Sequence, residues 1–198
     1  MKLSILSTFI ILILSCNSNN HINKIEGFKI PLPENWIDKS ELSVKDNLSK
    51  FNLNDSEVSS LLKNHNGSIP VAIYTKYDPS EINGPIPTIQ VNIRPNNTKD
   101  FNGFKKIMTS SITQMKNYFS NFKIISPMEE VLIDSIKGIK FITQFDLPNN
   151  QGTSWTIRSW NYAFPSENSF YQINFSDTEN EDSKSVYEQI INQVKFSK

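Results

Sequence analysis

Apolar positions along this chain change period repeatedly, and each change marks a different element. Residues 3–14, "LSILSTFIILIL", form a nearly continuous apolar run behind Lys2 that stops at Ser15-Cys16. Further on, "TIQVNIRP" alternates Ile89, Val91 and Ile93 with Gln90, Asn92 and Arg94. Strict alternation of this kind predicts a strand buried on one face only. Asp100 then stands as a natural N-cap before residues 101–119. There Phe104, Ile107, Met108, Ile112, Met115 and Phe119 recur at helical spacing and predict one apolar face docked on a sheet.

Beyond that helix the period returns to two. "NFKIIS", "MEEVLIDSI", "IKFITQFDL", "TSWTIRSWNYAF" and "SFYQINFSD" read as strands, separated by turn signals at Ser126-Pro127, Lys137-Gly138, 149–152 and 165–168. Connections this short permit hairpins and exclude parallel crossovers, so the C-terminal half is expected to be an antiparallel meander. Trp155 and Ile157 differ in parity from Trp160, Tyr162 and Phe164. Either a bulge near Ser159 switches the face, or both faces of the sheet are covered. A last helix over 179–194 carries Val186, Ile190 and Val194. Upstream, "GFKIPLPENW" predicts a short strand running into a turn, with Trp36 capping the core. Asn54 and Glu57 suggest a short helix over 54–63 closed by Asn66-Gly67, and "IPVAIYTKY" suggests a strand.

The first apolar run is too short to span a bilayer, which needs about 20 residues, and has the length of a signal-peptide core. Ile13-Leu14-Ser15-Cys16 resembles the bacterial lipobox, and this resemblance implies acylation of Cys16 and cleavage before it. Two or three acyl chains give a stable anchor where one holds only marginally. The expected organisation is a signal peptide over 1–15, a lipidated tether over 16–24 and a single domain over 25–198. The tether lacks an acidic cluster after the cysteine, which favours a periplasm-facing anchor in the cell membrane or outer membrane over surface display. The partner expected from this end of the chain is the membrane itself, through the N-terminal lipid.

Charge and inventory narrow the chemistry. With 20 basic and 20 acidic residues among 198, the chain has no broad positive field for nucleic acid. Its two histidines, His21 and His65, and its single cysteine, committed to lipid, cannot assemble the usual zinc ligand sets or a nucleophile with a base. Glu129 and Glu130 are adjacent in a strand and point to opposite faces, a poor acid–base pair. The acidic stretch from Asp177 to Asp182 reads as a solvated helix start, and Asp134 and Asp146 as residues of neighbouring strands. With six glycines in all, no phosphate-binding glycine motif appears. The expectation is therefore no enzyme, no metal and no cofactor. The candidate binding surface is an aromatic platform of Tyr74, Tyr77, Trp160 and Tyr162, which fails if three or more of these rings lie in the core.

Taken in order, "GFKIPLPENW", the helix after Asp100, "VLIDSIKGIKFITQFD" and the closing "YEQIINQVKFSK" resemble the PsbP-like superfamily, which includes DcrB-type bacterial lipoproteins. The resemblance implies an α+β fold with a central antiparallel sheet flanked by helices, an αβα sandwich, and brings no catalytic residues. It implies a membrane-anchored, non-catalytic accessory or adaptor to another cell-envelope protein. The alternative is a small-ligand or lipid-binding module with a cleft between helix and sheet.

Overall fold

The computed structural model describes residues 28–40, 67–148 and 153–196. Cys16, His21, the tether, the expected helix over 54–63, His65 and the turn at 149–152 lie outside the described residues. What is described is α+β, one seven-stranded antiparallel sheet with two helices. The strands are β1 (Ile37–Asp38), β2 (Ile69–Thr75), β3 (Thr88–Pro95), β4 (Ser120–Ile133), β5 (Ile136–Pro148), β6 (Ser154–Pro165) and β7 (Ser169–Thr178). Helix α1 is Phe101–Met115 and α2 is Lys184–Gln193. The order across the sheet is β1-β2-β3-β7-β6-β5-β4, so the C-terminal meander closes onto β3.

Local chemistry explains the boundaries. The Asp100 carboxylate accepts the Gly103 N–H at 2.7 Å and caps α1, as its position predicts. The helix stops at Met115, earlier than the apolar spacing suggests, because the Tyr118 and Phe119 amides both turn back to the Met115 carbonyl. The β4–β5 turn falls at Asp134-Ser135, where both residues adopt left-handed φ values of 47° and 67°. That is the signature of a two-residue type I′ hairpin. The expected turn at Lys137-Gly138 is therefore misplaced, and Gly138 sits inside β5. A Cβ there would overlap the Phe164 ring and the Ala163 carbonyl, so this glycine serves close packing. Nor does Ser126-Pro127 divide two strands. It lies within the single bulged strand β4 at the sheet edge, where a missing donor is tolerated.

Register settles the parity question in β6. This strand pairs without a shift on both sides, so there is no bulge at Ser159. Both faces are covered instead: every residue from Ser159 to Phe164 is buried. On one face, α2 contributes Tyr187, Ile190 and Ile191 to a core with Ile89, Val91, Trp160, Tyr162, Ile173 and Phe175. On the other, α1 sets Phe104, Met108 and Ile112 over Ile139, Phe141 and Ala163 of β5 and β6. The segments around Lys29 and Lys195 are joined across the α2 side. Lys29 and Lys195 exchange backbone hydrogen bonds at 2.8 and 3.0 Å, and the Phe28 ring stacks on Tyr171 at 4.8 Å. Helix α2 begins at Lys184, later than 179. The preceding residues are held by the Arg158 guanidinium, which bonds Asp177 at 3.2 Å and the Glu181 carbonyl at 2.5 Å.

Candidate functional site

The four rings named from sequence do not form an exposed platform. Tyr74 is 0%, Trp160 7% and Tyr162 6% exposed, and all three belong to the core on the α2 side. Tyr74 donates its hydroxyl to the Ile30 carbonyl at 3.2 Å, and burial pushes Tyr162 up to about 12. Only Tyr77 reaches the surface, with its hydroxyl on Glu181 at 3.0 Å. The three rings are buried because alternation along β2 and β6 points them at α2, and large aromatics supply much of a core's apolar area.

The carboxylates are mostly structural. Glu129 pairs with Lys140, and Glu130 is clamped by Lys105 at 2.7 Å and Lys137 at 2.6 Å. The two lysines hold the Glu130 carboxyl down at about 2. Asp134 lies in the turn between strands and accepts the Phe196 N–H at 2.8 Å, while Asp146 on β5 accepts from Asn121 and Thr156. Asp177 is no solvated helix residue: its side chain is fully buried beside Arg158 and accepts the Ser183 N–H at 3.2 Å. Burial raises its pKa, opposed by those bonds. Among the described residues, no group of three or more His, Cys, Asp or Glu is placed to hold a metal ion.

A different surface emerges from the register, on the α1 side of β2, β3 and β7. Residues paired directly across antiparallel strands share a face. One row across five strands is Thr75, Thr88, Ser176, Ser159 and Thr143. The next row is Gln90, Asn174 and Asn161, and the third contains Asn92, Gln172 and Ala163. Hydroxyls and amides thus occupy positions that a covered sheet usually fills with aliphatics. Helix α1 packs over the β5 and β6 end of these rows and meets β7 through Phe104 and Phe170, and the polar rows on β3 and β7 beside it form a shelf.

On the shelf, four amides form a quadrilateral. Gln90 Nε2 donates to Asn92 Oδ1 at 3.3 Å along β3, and Gln172 Nε2 donates to Asn174 Oδ1 at 3.3 Å along β7. Because Gln90 faces Asn174 and Asn92 faces Gln172, the two clasps run in opposite directions. Arg94 Nη1 closes one corner with a bond to Gln172 Oε1 at 3.1 Å. Asn92 is 7% exposed and Asn174 half-buried, and the Nδ2 of neither donates to any described residue. Thr75 Oγ1 and Thr143 Oγ1, at the two ends of the hydroxyl row, are buried without a partner. Sequence reasoning missed these residues, although the tripeptides Gln90-Val91-Asn92 and Gln172-Ile173-Asn174 repeat one pattern in two strands.

A second exposed feature lies at the opposite edge. Ile124, Ile125 and Leu132 on β4, with Tyr118 just before it, are all more than half exposed. Ile107 of α1 is also 50% exposed. On the helical period it lies on the flank away from Lys105, which pairs with β4.

No helix among the described residues is long and apolar enough to cross a membrane. No protein-family model matches the sequence, and neither does any curated protein. Solved structures resemble this chain at low identity. LpqN of Mycobacterium tuberculosis, described as involved in cell envelope biogenesis, superposes with a TM-score of 0.50 at 12% identity, covering 86% of this chain and 83% of LpqN. A protein from Bacteroides thetaiotaomicron gives 0.44 at 12% identity over 88% of this chain and 48% of its own length, and a point variant of Mog1 gives 0.40 at 12% over 84% and 81%. The likeness to LpqN, at this identity, is one of fold: an α+β domain on an antiparallel sheet.

Proposed function

We propose that this chain is a lipid-anchored, non-catalytic PsbP-like domain, an αβα sandwich acting as an accessory or adaptor to another cell-envelope protein. The anchor is the acylated Cys16, which holds the domain at the cell membrane or outer membrane facing the periplasm. The observation that carries the adaptor role is the pair of exposed residues Ile124 and Ile125 on the open edge strand β4, with Tyr118 just before it and Leu132 farther along the same strand, since exposed apolar residues on an unpaired edge favour a protein contact. Pro127 and the bulges of β4 discourage strand addition there, so the contact would be made by side chains. The description of LpqN as involved in cell envelope biogenesis accords with this reading.

A photo-crosslinking residue placed at Leu132 in cells tests it. The same membrane protein should be captured from Leu132 and not from Gln189 on the exposed side of α2; equal capture from both, or none from Leu132, contradicts the adaptor role. For the anchor, Cys16→Ala should leave the membrane fraction and lose acyl labelling. The second reading, a ligand-binding module with a cleft between helix and sheet, is favoured by the amide shelf beside α1.

A further inference from the structure

We infer that, on the reading that Cys16 is acylated, the domain rests on an anionic phospholipid surface through one end of its sheet, the end marked by Arg94, Lys99, Lys106, Lys137 and Lys195.

The exit of the tether fixes which end lies nearest the bilayer. Phe28, the first described residue, stacks on Tyr171 near the start of β7, and Lys29 pairs with Lys195. Lys195 in turn bonds Asp134 in the β4–β5 turn at 3.1 Å. The ends of β3 and β6 lie here too, because Pro95 pairs with Ser169 and Pro165 with Phe170, and the start of α1 joins them through Phe104 and Phe170. Cys16 precedes Phe28 by twelve residues, which span at most about 40 Å. Strand β4 alone, with 14 residues, is roughly 45 Å long. The opposite end of the sheet would meet the lipid only with the tether drawn taut past the whole domain.

Charge separates the two ends as well. Arg94, Lys99, Lys106, Lys137 and Lys195 are all exposed at the tethered end. Arg94, Lys99 and Lys106 form no ion pair among the described residues, and Glu130 answers Lys105 and Lys137 together with a single charge. Of the carboxylates there, Asp100 caps α1, Asp134 pairs with Lys195, and Glu167 in the β6–β7 turn opposes the lysines; these are too few to cancel them. At the other end Glu179, Glu181 and Asp182 follow β7, and Asp78 and Glu81 lie in the β2–β3 loop, so no excess of positive charge is offered.

A chain without net charge thus turns a positive end toward its anchor. Basic side chains within a Debye length of an anionic leaflet, about 8 Å, are drawn to it. The tether keeps this end at high effective concentration beside the surface, so a weak attraction suffices. An acidic protein is the less favoured occupant, because the lipid surface is already within this end's reach.

The test is amine labelling of the full acylated chain in vesicles, with a water-soluble acylating reagent and lysine-by-lysine mass spectrometry. In phosphatidylglycerol mixed with phosphatidylcholine, Lys99, Lys106, Lys137 and Lys195 should label roughly fivefold more slowly than in phosphatidylcholine alone. Lys116 and Lys184, exposed at the opposite end, should not change. Salt at about 0.5 M should erase the difference. Lys99→Glu with Lys106→Glu, both on the surface, should remove the protection of Lys137 and Lys195. Equal labelling in the two kinds of vesicle, or equal protection of Lys116 and Lys184, overturns the inference and leaves the anchor standing. A chain that stays with neither kind of vesicle overturns the anchor, and the inference with it.

Discussion

Along β3, residues alternate between two environments that share only a backbone. Ile89, Val91 and Ile93 enter the α2-side core, and the residues between them, Gln90 and Asn92, join the amide shelf on the α1 side. The same holds on β7, where Ile173 and Phe175 are fully buried under α2 and Gln172 and Asn174 face the other way. The α2 side is continuous, from Phe28 and Ile30 through the aromatic contacts of Tyr187 with Trp36, Trp160 and Phe175. The α1 side has a compact apolar patch on β5 and β6 and polar rows beyond it. Burial of apolar area drives folding at about 25 cal/mol per Å², so the α2 side carries most of the fold. Polar residues kept on the other side contribute little to stability, since each neutral hydrogen bond is worth only about 1 kcal/mol net.

Removing a ring from the α2 core should have the largest effect. Phe175→Ala is expected to cost about 3–5 kcal/mol in urea unfolding, whereas Ile107→Ala on the exposed flank of α1 should stay within about 0.5 kcal/mol. Gly138→Ala should cost about 1–3 kcal/mol through overlap with Phe164, and Phe164→Leu in the same background should recover part of the loss. Asp100→Ala should cost about 1 kcal/mol by uncapping α1, with Asp100→Ser close to wild type.

Acid provides a smaller test of the α1 side. Glu130 is held at about 2 against an ordinary 4.5, so its contribution is present above the ordinary value and lost as the pH falls through the lower one. Melting temperature should therefore fall more steeply toward pH ~2 in wild type than in Glu130→Gln. Asp177 acts with the opposite sign: burial raises its pKa, so its effect on stability weakens the fold as pH rises past the ordinary carboxylate range. The smallest expected effect is a gain. Thr75→Val deletes a buried hydroxyl without a partner and should leave stability unchanged or raise it by up to about 1 kcal/mol.

Much of this comparison is present in the sequence, though not its decisive part. The strict period of two in "TIQVNIRP" locates β3 and assigns Gln90 and Asn92 to one face, and the Asp100 cap locates α1. The inference that this polar face is solvent-exposed fails at Asn92, which is 7% exposed, because polarity alone does not distinguish water from a covered polar layer. The shelf depends on β7 lying beside β3. Hairpin logic joins β4 to β7 in order, but no local signal tells the end of the meander to pair with a strand before α1. The aromatic platform fails for a related reason. Tyr74, Trp160 and Tyr162 have the right residue types for an interface, but their parity commits them to the α2 core once the strands are in register. Gly138 and Pro127 mislead because each usually marks a turn, and here one accommodates the Phe164 ring and the other sits on an open edge.

The central claim is that the apolar face of the sheet under α2 holds the domain together, while the amides of the opposite face contribute little to stability. Urea unfolding of the Asn92→Ala, Asn174→Ala double variant tests it most directly. The account predicts a loss of no more than about 1–2 kcal/mol, the value of two weak clasps, with a native denaturant slope. A loss of about 4 kcal/mol or more, comparable to Phe175→Ala, would mean that the amides belong to the folding core and would contradict the account.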